Sequence, residues 1–214
     1  MGNRTGVYGV GINDSDYTVR TYEKVGGKTV ISWECPVFVT WKDMMKRVYS
    51  ESYHKKNPTY VGCTVAVEWL SFMKFREWVG DNSLKGKDNT KLSLDKDIFK
   101  EGNKHYCPEY CNLVEHRVNT FMAHGGRCGG DNKIRGVLDN PNRKWIQVFC
   151  SDPFKIKSKF IGDVKSVEEG LYLYYKTKRG YLKDLLDKGY TDDRLYKIID
   201  ARLVSDLEVE LSKL

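Results

Sequence analysis

The chain has 214 residues, of which 40% are hydrophobic and 13% aromatic, and a formal net charge of +7. That length supports one domain or two small ones with a real core, and the composition excludes a disordered chain. No apolar run approaches the ~18 residues that span a bilayer, and the opening MGNRTGVYGVGIND has no apolar signal stretch, so a soluble cytoplasmic protein with no membrane partner is expected.

Residues 1–35 read as a Gly-rich arm or irregular hairpin, punctuated by Gly6, Gly9, Gly11, Gly26 and Gly27. GVYGVG lacks the Lys-Ser/Thr and the strand–turn–helix context of a phosphate loop. A helix is predicted from about 40 to 53, with Thr40 as cap and Asp43 completing a capping box. Trp41, Met44, Met45, Val48 and Tyr49 form its apolar face, Lys42, Lys46 and Arg47 lie mainly opposite, and Pro58 forbids continuation. A second helix over 67–79 carries a core stripe of Trp69, Phe72, Phe75 or Arg76, and Val79. Residues 80–91 read as a polar loop, Lys91 to Leu94 as a strand, and the Gly-rich 123–133 as an interdomain linker.

Beyond the linker the hydrophobic period changes to two. A short strand at 134–138 precedes a turn at 139–143. A second strand, 144–150, puts Ile146, Val148 and Cys150 on one face and Trp145, Gln147 and Phe149 on the other. After a turn at Ser151-Asp152-Pro153, a third strand over 156–161 alternates Lys155, Lys157 and Lys159 with Ile156, Ser158 and Phe160. Ser166 and Glu169 open a helix containing Val167, Leu171, Tyr174 and Tyr175; Gly180 and Gly189 are expected to break the remainder into short helices. A last helix covers 192–211, with Leu195, Ile198, Ile199 and Leu203 inward. The fold class expected is α+β: a largely helical N-terminal module, then a three-stranded antiparallel sheet packed on a helix, then C-terminal helices.

Six cysteines, at 35, 63, 107, 111, 128 and 150, are too scattered for a secreted disulfide framework. His105, Cys107 and Cys111 are zinc-ligand types, but no second CxxC pair accompanies them, so a structural zinc is not expected. Residues 131–160 hold seven basic and three acidic side chains, a net +4, whereas six acids face four bases from residue 190 onward. With one sheet face covered by the helix, the other is expected to carry Arg143, Lys144, Trp145 and Gln147 with Lys155, Lys157 and Lys159. Such a surface suits phosphate contacts plus stacking or insertion of an aromatic ring, which points to a nucleic-acid partner.

Arg135-Gly136-Val137, Lys144-Trp145, Ser151-Asp152-Pro153, Phe160-Ile161-Gly162 and Ser166 through Gly170 together resemble the Apetala-type (ethylene-response-factor) DNA-binding domain over about 134–178. The resemblance implies a sheet lying in the major groove of double-stranded DNA, backed by the helix. The contacts would come from Arg135, Arg143, Trp145, Lys157 and Lys159. Gly170 departs from the family's usual Ala, and the strands carry fewer arginines.

Leu94-Asp95-Lys96-Asp97, Gly102-Asn103-Lys104, Pro108-Glu109, Cys111-Asn112-Leu113, His116 and Asn119 resemble a degenerate HNH (ββα-metal) nuclease motif. An HNH site needs a histidine base, an asparagine that orients it, and side chains holding one divalent metal against the phosphate. The resemblance implies Asp95, Asn112, His116 and Asn119 as ligands of one magnesium or manganese, and Asn103 as the orienting residue. Lys96 stands where the base belongs, with Asp97 or His105 as substitutes. The chain as a whole is similar to bacteriophage proteins that join an HNH-like module (here 36–122, after the 1–35 arm) to an Apetala-type module (134–214), which implies the host-cell cytoplasm. The resemblance leaves two readings: a metal-dependent HNH-type endonuclease or nickase, or a catalytically silent binder of DNA, RNA or a small nucleotide such as a host signalling nucleotide sequestered during infection. The basic patch argues against a third, a structural assembly protein.

Overall fold

The computed structural model describes residues 6–80, 84–122, 134–155 and 157–214, and it is mixed α+β. The chain forms two compact units: Met1–Lys85 with Lys91–Leu113, and Gly86–Thr90 with Val114–Leu214. The predicted linker at 123–133 lies outside the described residues. No helix among the described residues is long and apolar enough to cross a membrane.

The first unit is organised by α1 (Pro36–Tyr49), which buries Trp41, Met44 and Met45 completely. It starts four residues before the predicted Thr40 cap, because Pro36 has its φ pre-set for a first helical turn and no N–H to leave unsatisfied. Thr40 sits inside the helix, its hydroxyl donating to the Pro36 carbonyl at 3.1 Å, and Tyr49 is exposed rather than on the buried face. Ser50 caps a separate short helix, α2 (Glu51–Lys56), and Pro58 opens a single 3-10 turn instead of merely ending a helix. The predicted helix over 67–79 is a 3-10 turn at Val67–Leu70 followed by α3 (Phe72–Val79), capped by Ser71. Its stripe is buried as expected, and Trp41 Nε1 donates to the Trp69 carbonyl at 2.7 Å.

The leading segment is not a free arm. Ile12 N donates to Leu70 O at 2.7 Å, and Asp14 accepts from Ser71 Oγ at 2.6 Å and Met73 N at 2.9 Å. A Cβ at Gly11 would come within 2.9 Å of the Trp41 ring, so the chain approaches the core only because this residue is glycine. Strands β1 (Arg20–Val25) and β2 (Lys28–Glu34) then form an exposed antiparallel hairpin, its register shifted by one residue between Thr21 and Tyr22. Its two-residue turn, Gly26-Gly27, has positive φ at both positions (56° and 78°), the geometry that matches strand twist.

Short strands complete this part: β3 (Thr64–Val65) pairs in parallel with β5 (His105–Tyr106), and β4 (Leu92–Asp95) pairs with β6 (Asn112–Glu115). The unit boundary falls inside β6, after Leu113, so α4 (His116–Met122) belongs to the second unit and not to the 36–122 module. The contacts explain this. Phe121 packs under Lys178, and the Arg117 guanidinium lies 4.4 Å from the Tyr190 ring centre.

In the second unit β7 (Val137–Leu138), β8 (Ile146–Asp152) and β9 (Lys157–Val164) form an antiparallel sheet in that order. It packs on α5 (Val167–Asp187), which pairs with α6 (Asp193–Leu211). Ser166 caps α5 by accepting from Glu169 N at 3.1 Å, as the sequence predicts. Gly170 lets helix and sheet close up, since a Cβ there would lie 3.0 Å from Val137. Gly136, at φ +71°, makes room for Tyr174, whose ring would overlap any side chain at that position. α5 runs unbroken through Gly180, contrary to expectation. One glycine costs a helix about 1 kcal/mol, less than the burial of Leu182 and Leu185 on the same helix returns. The turn that ends it does use glycine, Gly189 at φ +70°.

Candidate nucleic-acid interface and the 95–119 segment

The register of the three-stranded sheet decides which side chains share a face. Val148 and Cys150 point to the helix and are buried, while Gln147 and Phe149 point away, as the alternation predicts. On β9, Phe160 pairs with Phe149, Lys159 with Cys150, Ser158 with Ser151 and Lys157 with Asp152. Lys157 and Lys159 therefore lie on the helix side of the sheet, not on the open face expected for them. A bulge explains the inversion. Ile161 is the extra residue between Phe160 and Gly162, so Gly162 and Val164 oppose Val148 and Ile146 while Phe160 stays outward. Both lysines remain exposed along the edge strand, and Lys155 is exposed in the preceding turn.

The open face thus carries Leu138, Gln147, Phe149, Ser151, Ser158, Phe160 and Asp163. The Phe149 and Phe160 rings meet edge-on at 5.6 Å between centres. Phe160 is 46% exposed and Trp145, just before β8, 40%. Lys144 and Lys165 lie 5.5 and 6.0 Å from the Trp145 ring centre. Arg143 and Lys144 are exposed in the β7–β8 connection. Arg135 is committed elsewhere: its guanidinium lies 3.6 Å from the Asp206 carboxylate of α6. The DNA contact that the Apetala-type resemblance implies for Arg135 would therefore compete with an ion pair to the helical layer.

The 95–105 segment closes on itself. Asp95 Oδ1 accepts from the backbone N–H of Asp97 at 2.9 Å and of Ile98 at 2.7 Å, an Asx turn at the end of β4. Burial pushes the Asp95 carboxyl above its ordinary pKa, and the charge on Asp97 adds to this. Lys96 is buried and pairs with Asp97 Oδ2 at 3.0 Å. Asn103, also buried, donates to the carbonyls of Lys96 and His105, each at 2.7 Å, and accepts from His105 N at 3.1 Å. His105 Nδ1 lies 2.8 Å from Thr64 Oγ1. Asn112 is on strand β6 rather than a helix and accepts from Leu113 N at 2.9 Å. His116 and Asn119 are on α4, in the second unit.

These residues do not fit a metal-and-base centre. The carboxylate assigned to the metal is held in a turn by two backbone donors and disfavours its charged form. The position of the base is a lysine ammonium in an ion pair, and the orienting asparagine ties backbone to backbone. Cys107 and Cys111 are buried thiols pushed up by desolvation, Cys111 to about 12. Among the described residues no three His, Cys, Asp or Glu side chains are grouped to hold a metal.

Sequence reasoning misses three features of the second unit. Lys178 is 7% exposed, with its ammonium 4.9 Å from the Phe121 ring centre, and burial pushes it down to about 8. Its signal is present in the chain, since it follows Leu171 and Tyr174 at helical spacing on the buried stripe. Glu115 is buried and receives Lys87 N and, at 2.7 Å, Thr90 Oγ1, fixing the 86–90 loop that reads only as polar. Phe149 and Phe160 have a signal in their alternation, but only the register joins them as a pair. Comparison of the chain with protein-family models, curated proteins and solved structures finds no match in any of the three.

Proposed function

We propose that this chain is a non-catalytic nucleic-acid-binding protein whose contact surface is the three-stranded sheet of the second unit and its cationic margin. The observation that carries this is the charge of residues 143–165. Six cations (Arg143, Lys144, Lys155, Lys157, Lys159 and Lys165) are exposed, against one exposed acid, Asp163, while Asp152 is buried. Exposed aromatic rings lie among them. Phosphate contacts position a nucleic acid and release its counterions, and rings supply the contact to bases. The Apetala-type resemblance supports the same surface. The HNH resemblance is that of a scaffold whose polar residues have turned to holding the loop together, and the likeness to phage proteins is the support for a setting in an infected host cell.

The test combines binding and cleavage. Protein in chelator should retain nucleic acid on a gel and release it steeply as salt rises. Each phosphate contact contributes about 0.9 to the log–log salt slope on duplex and about 0.7 on single strands. Charge reversal of Lys157 and Lys159 should weaken binding to all sequences. Supercoiled plasmid with magnesium or manganese should stay supercoiled. Affinity indifferent to salt would overturn the binding reading, and metal-dependent nicking lost on Asp95→Ala would restore the nuclease.

A further inference from the structure

We infer that the open face of the β7–β9 sheet is a stacking platform for the unpaired bases of a single-stranded nucleic acid, with Phe149 and Phe160 as its central rings. The inference rests on the nucleic-acid reading above and names its substrate class. A solvent-facing strand side normally alternates to polar residues. Here the two middle positions are phenylalanines paired across strands, and the outer one is 46% exposed. An exposed aromatic patch rimmed by polar and charged groups marks a binding site.

The chemistry of the face discriminates between paired and unpaired bases. In a duplex the base faces are covered by their neighbours, and only the edges are offered, as hydrogen-bond patterns best read by arginine, asparagine or glutamine. The described strand residues of this face include no arginine or lysine, Arg135 being paired with Asp206, and only Gln147 among those amides. Phenylalanine has no donor or acceptor for a base edge, but it offers a flat face to any exposed base whatever its identity. Asp163 on the same face would oppose phosphates laid directly over the sheet. The cations stand at the margins instead, Lys157 and Lys159 on the edge strand and Arg143 and Lys144 in the turn, where the backbone of a strand with its bases turned inward would run.

The experiment is fluorescence anisotropy of labelled oligo-dT, oligo-U and a mixed-sequence duplex against the full chain, in chelator at low salt. Oligo-dT, oligo-U or both should bind at least about tenfold tighter than duplex, and the stronger arm names DNA or RNA as the source. Phe160→Leu should weaken single-strand binding about tenfold or more, the effect of losing one stacked base, and weaken duplex binding far less. Phe160→Trp should restore it. Because Phe160 is exposed, both variants should melt as the parent does, which separates loss of stacking from loss of fold. Duplex bound as tightly as single strands, with Phe160→Leu without effect, would overturn the platform and leave the basic binding surface standing. No binding of any of the three would overturn both.

Discussion

Around Asn103, in the first unit, the hydrogen-bonding groups face one another: its amide joins the carbonyls of Lys96 and His105, Asp95 holds two backbone N–H groups, and Lys96 meets Asp97. Around Phe160, in the second unit, rings and lysines face solvent. Both stretches are dense in residues of functional type, and both resemble nucleic-acid motifs. The difference lies in where their valences go. A side chain whose hydrogen bonds close its own loop stabilises that loop and has less capacity left for a ligand. One that is solvated keeps its whole capacity for a partner. Residue type at motif spacing does not distinguish the two cases, whereas hydrogen-bond partners do.

The comparison is sharpened most by the charge buried in the second unit. Lys178 lies against Phe121 and Tyr174, faces Cys150 on β8 and Arg135, and is bordered by Asp206 and Arg202 of α6. Burial lowers it from 10.5 to about 8. Below about pH 8 both folded and unfolded chains carry the charge, so its full destabilisation applies there. Above that pH the folded lysine is neutral while the unfolded one stays protonated up to about 10.5. Stability from this group therefore rises with pH across that window, by up to about 1.4 kcal/mol per pH unit. Lys178→Met should stabilise the protein at neutral pH by an amount on the order of 3 kcal/mol and remove this slope. Cys150, pushed up to about 11, works in the opposite direction above its ordinary 9. The informative comparison is urea unfolding of parent and variant at pH 7 and pH 9. Equal pH slopes would mean that the ammonium reaches water.

Next in size is Asn103→Ala, which removes three hydrogen bonds to backbone groups in a buried turn and should cost about 2–3 kcal/mol. Binding by the surviving folded protein should not change. A smaller effect belongs to Asp95→Asn. The amide oxygen can still accept from Asp97 and Ile98, and a carboxyl already biased toward its neutral form loses little, so stability should move by less than about 1 kcal/mol. If Asp95→Asn instead abolished a metal-dependent activity without changing the melting temperature, the segment would be a site and the contrast between the units would fail.

Much of this architecture is legible in the sequence. The helix stripes at Trp41–Val48 and Trp69–Val79, the Ser166 cap and the alternation of β8 come from period and capping alone. The side of the sheet on which Lys157 and Lys159 lie does not, because one bulged residue, Ile161, reverses the parity of everything on one side of it. Nor does the role of Asp95: an Asx turn and a metal ligand ask for the same residue at the end of a strand. The leading segment misleads for a related reason. Its glycines signal flexibility, but Gly11 is there to let backbone meet the Trp41 ring.

Gly180 offers the finest test of how local propensity and tertiary packing divide the work. The sequence marks it as a break, yet α5 is continuous across it, so the helix there is held by burial of its neighbours and not by its own preference. Its φ is ordinary, and nothing lies within 4 Å of where a Cβ would stand. An alanine would therefore meet no clash and would lower the entropy of the unfolded chain. Gly180→Ala should stabilise the protein by about 0.5–1 kcal/mol, and single-strand affinity should be unchanged because the position is on the helical layer, away from the open face. Differential scanning calorimetry would register the gain as a small rise in Tm. A fall would mean that the glycine serves a bend or a close approach during binding, and that the helical layer, like the sheet, holds residues chosen for a partner and not for the fold.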